Sequence, residues 1–458
     1  MKNNYTESIK KIYRRIMNFF MLILLTGIFV IRWYSELNVL MNKRFENKGN
    51  LLTILLYIII LILFMQIWGG FKLGHQKLVS LISSQVFAVI CTNMIISVQV
   101  ILMVGTVSDC GKIIASMAAI TLIHVVICFF WSVLAINVFV RLFPPYRILQ
   151  INGNYRNHLK MKIQDRDDKY QICEEISIHE SQQKIFERMK KYDAVLLNDI
   201  PSEQKNDILK YCFENDVRVY FTPKISDIIV KGTDEINLFD TPIFLCKNIG
   251  LSIEERIVKR VMDVFISGIV LILTSPIMLV TAIAIKCEDG GPIFFKQKRC
   301  TQGGQEFWIY KFRSMIVNAE KDGKSRPATD NDDRITKVGA FIRKTRIDEL
   351  PQLYNILKGD MSFVGPRPER IEHIEKYCRE IPEFSYRLKV KGGLTGYAQV
   401  YGRYNTTAYD KLKMDLIYIV NYSLLLDIQI ILETIKIIFR KESTQGFSEE
   451  QVKDIRKN

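Results

Sequence analysis

Two adjacent carboxylates, Asp348 and Glu349, follow Arg343 and Arg346 and precede Leu350-Pro351, and Arg367 lies downstream inside Pro366-Arg-Pro368. Paired carboxylates are what divalent-metal-assisted phosphoryl transfer requires. Arginine guanidinium groups offer forked donors matched to phosphate oxygens. Proline is tolerated in a first helical turn, so a helix is predicted to begin at this point, adding unpaired amide groups and the positive end of its dipole. The plainer alternative is that Asp348 caps the helix and Glu349 complements its dipole, with the arginines on a solvated face. The clustering of Arg343, Arg346 and Arg367 around the pair shifts the weight toward phosphate chemistry.

The elements that must position these groups come from a chain of 458 residues, enough for about three units of roughly 150. Four apolar segments open it: Met17 to Tyr34, Leu51 to Trp68, Leu78 to Val104 and Ile113 to Val140. Each is near or above the roughly 18 to 20 residues that span a bilayer as a helix. The first has no cleavage pattern and reads as a retained span. Lys10, Lys11, Arg14 and Arg15 before it, Lys72 and Lys77 between spans two and three, and Arg141 and Arg147 after span four place these flanks in the cytoplasm by the positive-inside rule. Arg32, Lys43, Arg44 and Lys48 oppose that rule in the first outer loop. The net charge of +15 calls for an anionic partner, and with an embedded N-terminal third the lipid surface is the general candidate. Nine scattered cysteines with no CxxC read as reduced thiols, and five dispersed histidines argue against zinc.

From residue 146 to 250, strand-like runs such as Ala194 to Leu197 and Val217 to Phe221 alternate with helix-period stretches, predicting a small parallel sheet of Rossmann-like type. Only one glycine stands near Ile151-Asn-Gly153, so the phosphate-cradling turn is missing and the unit reads as a non-catalytic spacer or interaction domain. Lys259, Arg260 and Asp263 then lead into an apolar run near 261–285 interrupted by Ser275-Pro276. Proline deprives the carbonyl near Ile272 of its partner, and both flanks are basic, so the run is expected to enter the membrane, bend and return on the same side. The Ser275 hydroxyl is placed to serve a carbonyl left unpaired there. Around Gly303-Gly304 a β-hairpin is predicted, and Leu424 to Phe439 is a final apolar helix.

The run IDELPQLYNILKGDMSFVGPRP, with KRVMD at 259, GGPIFFKQKR at 290, YKFRSM at 310 and KGGLTGYAQVYGR at 391, resembles the bacterial sugar transferase family. Those proteins are the monotopic polyprenyl-phosphate glycosyl-1-phosphate transferases. The resemblance covers residues 255 to 440, and the four spans with an α/β unit resemble the family's larger members. It departs at Cys300-Thr301, where the family often has a small apolar residue and glycine.

What the resemblance implies is a re-entrant helix broken at Ser275-Pro276, fixed at its entry by Lys259, Arg260 and Asp263. It also implies a two-step reaction. Asp348 would attack the sugar-linked phosphorus of a UDP-sugar and expel UMP; polyprenyl phosphate would then displace Asp348. Mg²⁺ would be held by Asp348 with Glu349, unless Glu349 instead serves proton transfer. Arg343 and Arg367 would contact substrate phosphates, with Lys259 and Arg260 as further substrate contacts or interfacial anchors. Gln297, Arg299, Lys311 and Arg313 are expected to be structural or membrane-facing.

The expected architecture is therefore a four-helix membrane region at 1–145, a cytosolic α/β domain at 146–250, and a mixed α+β catalytic domain with a re-entrant helix at 251–458. The expected setting is the bacterial inner membrane, catalytic side to the cytoplasm, at the start of exopolysaccharide, capsule or O-antigen synthesis. Homo-oligomerisation is left open. The competing class is a catalytically silent membrane scaffold. Nucleic acid is disfavoured, since the basic residues come with acidic partners and no aromatic reading surface.

Overall fold

The structure is a computed structural model that describes residues 2–41, 43–153, 159–246, 250–317, 319, 332–402 and 406–438. Arg403, which closes the last quoted motif, and residues 439–458 lie outside these. The chain divides into two compact units, 1–223 and 224–458.

The first unit opens with α1 (Lys2–Arg32), α2 (Lys48–Trp68), α3 (Leu78–Val104) and α4 (Cys110–Leu142). Each holds a membrane-length apolar stretch, so packing among those stretches rests on close contact and on a few polar pairs. Asn93 Nδ2 donates to Thr121 Oγ1 at 2.9 Å, and Ser132 Oγ donates to Gln85 Oε1 at 2.6 Å. His124 Nε2 meets the Leu25 carbonyl at 2.9 Å. After them β1 (Tyr146–Asn152), α5 (Leu159–Gln164), β2 (Tyr170–Ser177), α6 (Gln182–Met189), β3 (Ala194–Asn198), α7 (Ser202–Glu214) and β4 (Arg218–Phe221) build a parallel sheet in the order β2-β1-β3-β4. Leu149, Ile151, Val195 and Leu197 are buried on one face against Ile185, Met189 and Ile208 of the helices, as the alternation of strand and helix predicts.

The second unit begins with α8 (Ile225–Lys231) and the hairpin β5 (Asp234–Leu238) and β6 (Thr241–Leu245). Its long helix α9 spans Ile253–Asp289. A capping box starts it: Ser252 Oγ accepts from Glu255 N at 3.2 Å, and Glu255 Oε2 accepts from Ser252 N at 2.7 Å. Gly290, at φ 68, ends it in a left-handed conformation. Helical backbone runs through Ser275-Pro276, with the proline inside the element. Ser275 Oγ donates to the Ile272 carbonyl at 2.8 Å, replacing the bond that Pro276 cannot make. Phe265, Ile272 and Leu273 along α9 are about two-thirds exposed or more, a surface suited to lipid rather than water. Among the described residues five helices are long and apolar enough to cross a membrane, α9 and four N-terminal ones.

Beyond α9 come β7 (Phe294–Cys300) and β8 (Glu306–Phe312), antiparallel about Gly303-Gly304, whose positive φ values of 67 and 78 suit glycine. Then follow α10 (Lys337–Lys344), α11 (Gln352–Lys358), β9 (Ser362–Val364), α12 (Ile371–Glu380), β10 (Gly393–Thr395), α13 (Tyr397–Tyr401), α14 (Ala408–Val420) and α15 (Leu424–Ile438). Three polar side chains on the first turns of α9 bind it to the rest of this unit. Lys259 Nζ donates to Asp427 Oδ2 on α15 at 2.6 Å and to Tyr418 OH on α14 at 3.1 Å. Arg260 donates to the carbonyls of Ile356 and Leu357 at 2.6 and 2.7 Å, serving the last carbonyls of α11. Asp263 Oδ1 accepts from Ser362 Oγ at 3.0 Å and Phe363 N at 2.8 Å on β9.

Because Lys259 and Asp427 are 5% and 0% exposed, truncating one partner strands a buried charge. Lys259→Ala is expected to lower the unfolding free energy by about 3–5 kcal/mol, while Lys259→Met combined with Asp427→Leu loses far less. Denaturant unfolding of the two variants checks this.

Candidate active site

Asp348 and Glu349 sit in a single tight turn, Ile347–Glu349, three residues before α11. Arg346 precedes that turn at φ 59, a left-handed conformation uncommon for a side-chain-bearing residue, and it reverses the chain between α10 and the turn. Neither carboxylate caps α11, whose first residue follows Pro351. The predicted helix start is therefore present, but the acidic pair stands ahead of it.

The two carboxylates meet opposite fates. Glu349 Oε1 accepts from Lys311 Nζ at 2.7 Å and from Arg367 Nη2 at 2.6 Å. Burial alone would raise this carboxyl, but Arg367 and Lys311 hold it well below its ordinary value of 4.5. Burial raises the Asp348 carboxyl, with Glu349 adding to the effect, against the pull of Lys311, Arg346 and Arg343. Among the described residues no hydrogen bond or ion pair occupies Asp348. One acid is clamped and ionised; its neighbour is unclamped and more basic than an ordinary aspartate.

Local sequence explains how Lys311 arrives there. Along β8 every second residue faces inward, and Phe307 and Ile309 are buried against Leu353 and Ile356 of α11. Lys311 holds the next inward position, so a lysine occupies a core-facing register and needs an internal anion. Asn355, fully buried on α11, fixes the distance: its Oδ1 accepts from Tyr310 N at 3.0 Å and its Nδ2 donates to the Trp308 carbonyl at 2.8 Å. That amide extends the strand's hydrogen bonding onto the helix that follows the acidic turn. Sequence reasoning assigned Lys311 a structural or membrane-facing place and did not single out Asn355; strict alternation after Phe307 and Ile309 was the available signal for Lys311.

On the far side, the Pro366-Arg367-Pro368-Glu369 loop is held at four successive carbonyls. Gly393 N donates to Pro366 at 2.9 Å, Arg387 Nη2 to Arg367 at 3.0 Å, Arg299 Nη1 to Pro368 at 3.3 Å and Cys300 N to Glu369 at 3.2 Å. Beneath the loop Glu369 pairs with Lys411, and Arg387 pairs with Asp415 at 2.8 Å. Burial would raise Glu369, but His373, Lys411 and Arg387 drive its carboxyl far below the ordinary range.

Of the residues singled out from sequence, Asp348, Glu349 and Arg367 are brought together, and Arg343 at the end of α10 lies within electrostatic reach of Asp348. The side chains of Lys259, Arg260 and Asp263 are engaged with α15, α14, α11 and β9, and Ser275 with its own helix. Pro276 stands inside α9.

Residues 254–441 match the family described as bacterial sugar transferase. A UDP-glucose:undecaprenyl-phosphate glucose-1-phosphate transferase of Caulobacter vibrioides is 43% identical over 183 residues, 39% of this chain and 68% of the relative. The chain belongs to the bacterial sugar transferase family. Another relative of this sugar transferase is a UDP-N-acetylgalactosamine-undecaprenyl-phosphate N-acetylgalactosaminephosphotransferase of Aeromonas hydrophila, 40% identical over 264 residues, 54% of this chain and 59% of the relative. An undecaprenyl-phosphate galactose phosphotransferase of Salmonella typhimurium is 37% identical over 241 residues, 49% of this chain and 50% of the relative. The chain spans about half the length of several of these curated relatives.

Since the folded-state Glu349 carboxyl is depressed, its stabilising contribution is complete above pH 4.5 and is lost as the pH falls below that value. Glu349→Gln should therefore lower the thermal midpoint most at neutral pH, with the gap to wild type narrowing below pH 4.5. Melting curves across pH 3 to 8 read this directly. Asn355→Ala, which strands the Tyr310 amide and the Trp308 carbonyl, should cost about 1–3 kcal/mol per unsatisfied group in denaturant unfolding.

Proposed function

We propose that this sugar transferase moves a sugar-1-phosphate from a UDP-sugar to undecaprenyl phosphate and releases UMP. The observation that carries the reading is the pairing of an unoccupied, raised Asp348 with a Glu349 clamped between Lys311 and Arg367. The relatives' activities on undecaprenyl phosphate support the choice of acceptor.

In the first step an Asp348 carboxylate oxygen attacks the sugar-linked phosphorus. A phosphorus–oxygen bond forms to Asp348, and the bond to the bridging oxygen breaks, so UMP leaves with that oxygen and the electron pair. In the second step an oxygen of the lipid phosphate attacks the same phosphorus, the bond to Asp348 breaks, and the carboxylate is restored. Arg367 and Arg343 steady the transferring phosphoryl oxygens, which lowers the repulsion between two anions. Glu349 holds the Lys311 and Arg367 head groups in place; two cations on one oxygen leave it a weak proton carrier and make positioning its first task.

The donor set also suits a shared divalent ion. Asp348 and Glu349 are consecutive residues within electrostatic reach of each other, while the described residues hold no group of three or more metal-binding side chains. That is the pattern for Mg²⁺ held by one or two carboxylates and completed by substrate phosphates. When bound there, Mg²⁺ would offset diphosphate charge.

The four N-terminal apolar helices are read as spans, and α9 as a re-entrant element with both ends at the cytoplasmic face. Basic residues at both flanks of α9 and the Ser275 bond at the proline support that reading. The setting would be the bacterial inner membrane and the product the first lipid-linked sugar of an exopolysaccharide, capsule or O-antigen type glycan.

The test is UMP release by purified protein from UDP-glucose, UDP-galactose and their N-acetyl forms, with and without undecaprenyl phosphate and Mg²⁺. Release is expected from one or more donors and should disappear in Asp348→Asn; release from none of the donors, or full turnover in that variant, would defeat the proposal. Because Asp348 must be ionised and its carboxyl is raised, the acid limb of the rate profile should fall at a pH above the ordinary aspartate value of 3.8.

A further inference from the structure

Among the described residues Arg299, like Arg343, forms no ion pair, and of the two it is the one that stands beside Arg367. It stands at an inner position of β7, and its guanidinium contacts only neutral groups: Nη1 donates to the Pro368 carbonyl at 3.3 Å and Nη2 to Gln297 Oε1 at 2.6 Å. Its Nε is buried without a hydrogen-bond partner. Among the described residues no carboxylate forms an ion pair with it, and the two carboxylates within electrostatic reach are already engaged. Glu349 is held by Lys311 and Arg367, and Glu369 by Lys411 and Arg387.

A partly buried guanidinium beside a second one is unfavourable unless an anion completes the site. Burial and the neighbouring Arg367 push Arg299 down to about 10, which still leaves it charged at neutral pH. The carboxylates nearest Arg299, Glu349 and Glu369, are each shared by two other cations, so positive charge is in excess around it and a diphosphate would redress the imbalance. A salt bridge on the open face of the hairpin would explain none of this, because the outward positions of β7 hold Lys296 and Lys298, while the Arg299 Nε is turned away from solvent.

We infer that Arg299 is a substrate-binding residue whose guanidinium takes a phosphate oxygen beside Arg367. The inference rests on the phosphotransferase reading above and adds a ligand to it. The two sources of that oxygen are the nucleotide diphosphate and the lipid phosphate. Charge-assisted hydrogen bonds of this kind change affinity by about tenfold or more when removed.

The experiment uses the full chain carrying Asp348→Asn, so that no turnover occurs, and measures binding of UDP and, separately, of undecaprenyl phosphate. The same preparations give thermal midpoints. Arg299→Gln is expected to weaken at least one ligand by about tenfold or more without lowering the midpoint, and Arg299→Lys to recover part of the loss. A loss for UDP assigns the nucleotide diphosphate as the source, and a loss for undecaprenyl phosphate alone assigns the lipid. Unchanged binding of both ligands in Arg299→Gln overturns the inference, as does a fallen midpoint with affinities intact, which would make Arg299 a prop for the Pro368 loop. If the parent protein binds neither ligand, the phosphotransferase reading itself fails and takes this inference with it.

Discussion

The site depends on one shared oxygen. Glu349 Oε1 receives Lys311 from the hairpin and Arg367 from the Pro-Arg-Pro loop, so three segments distant in sequence are locked at a single carboxylate. Lys311 and Glu349 are both withdrawn from water, where an unmatched charge is severely penalised and a matched one is held tightly. Everything around them serves that geometry: Asn355 zips α11 to β8, four donors fix the loop carbonyls, and Arg260 of α9 holds the last turn of α11. Asp348, one residue away, is thereby carried into a field of cations without being bound by any of them.

The helix α9 links this site to the apolar part of the unit. Its first turns are polar and bound to α14, α15, α11 and β9, whereas its middle exposes large apolar side chains. A rigid polar root with an apolar shaft is what a site serving both a water-soluble nucleotide and a lipid phosphate would need. In this account the shaft enters the bilayer and the root stays at its surface.

Much of this was legible in the residues. Strand and helix periods gave the parallel sheet; Gly303-Gly304 gave the hairpin; the missing donor of Pro276 pointed to Ile272, whose carbonyl Ser275 does serve. The acidic pair and Arg367 were found by residue type and spacing. What the sequence hid was pairing at a distance. Lys259 reads as a membrane-flanking cation, yet its partner Asp427 lies 168 positions away. Lys311 reads as one of several hairpin cations until strand alternation turns it inward, and Arg299 differs from Lys298 only in which face of β7 it occupies. Side-chain type states what a residue can do, and register decides whether it is asked to.

The central claim is that Asp348 carries the transferring phosphosugar. Its most direct test is mass spectrometry of protein quenched in acid after mixing with UDP-sugar in the absence of lipid acceptor. The account predicts a phosphosugar adduct on the peptide containing Asp348, discharged when undecaprenyl phosphate is added before the quench. UMP release at a normal rate with the adduct absent, or an adduct on a different residue, would contradict it.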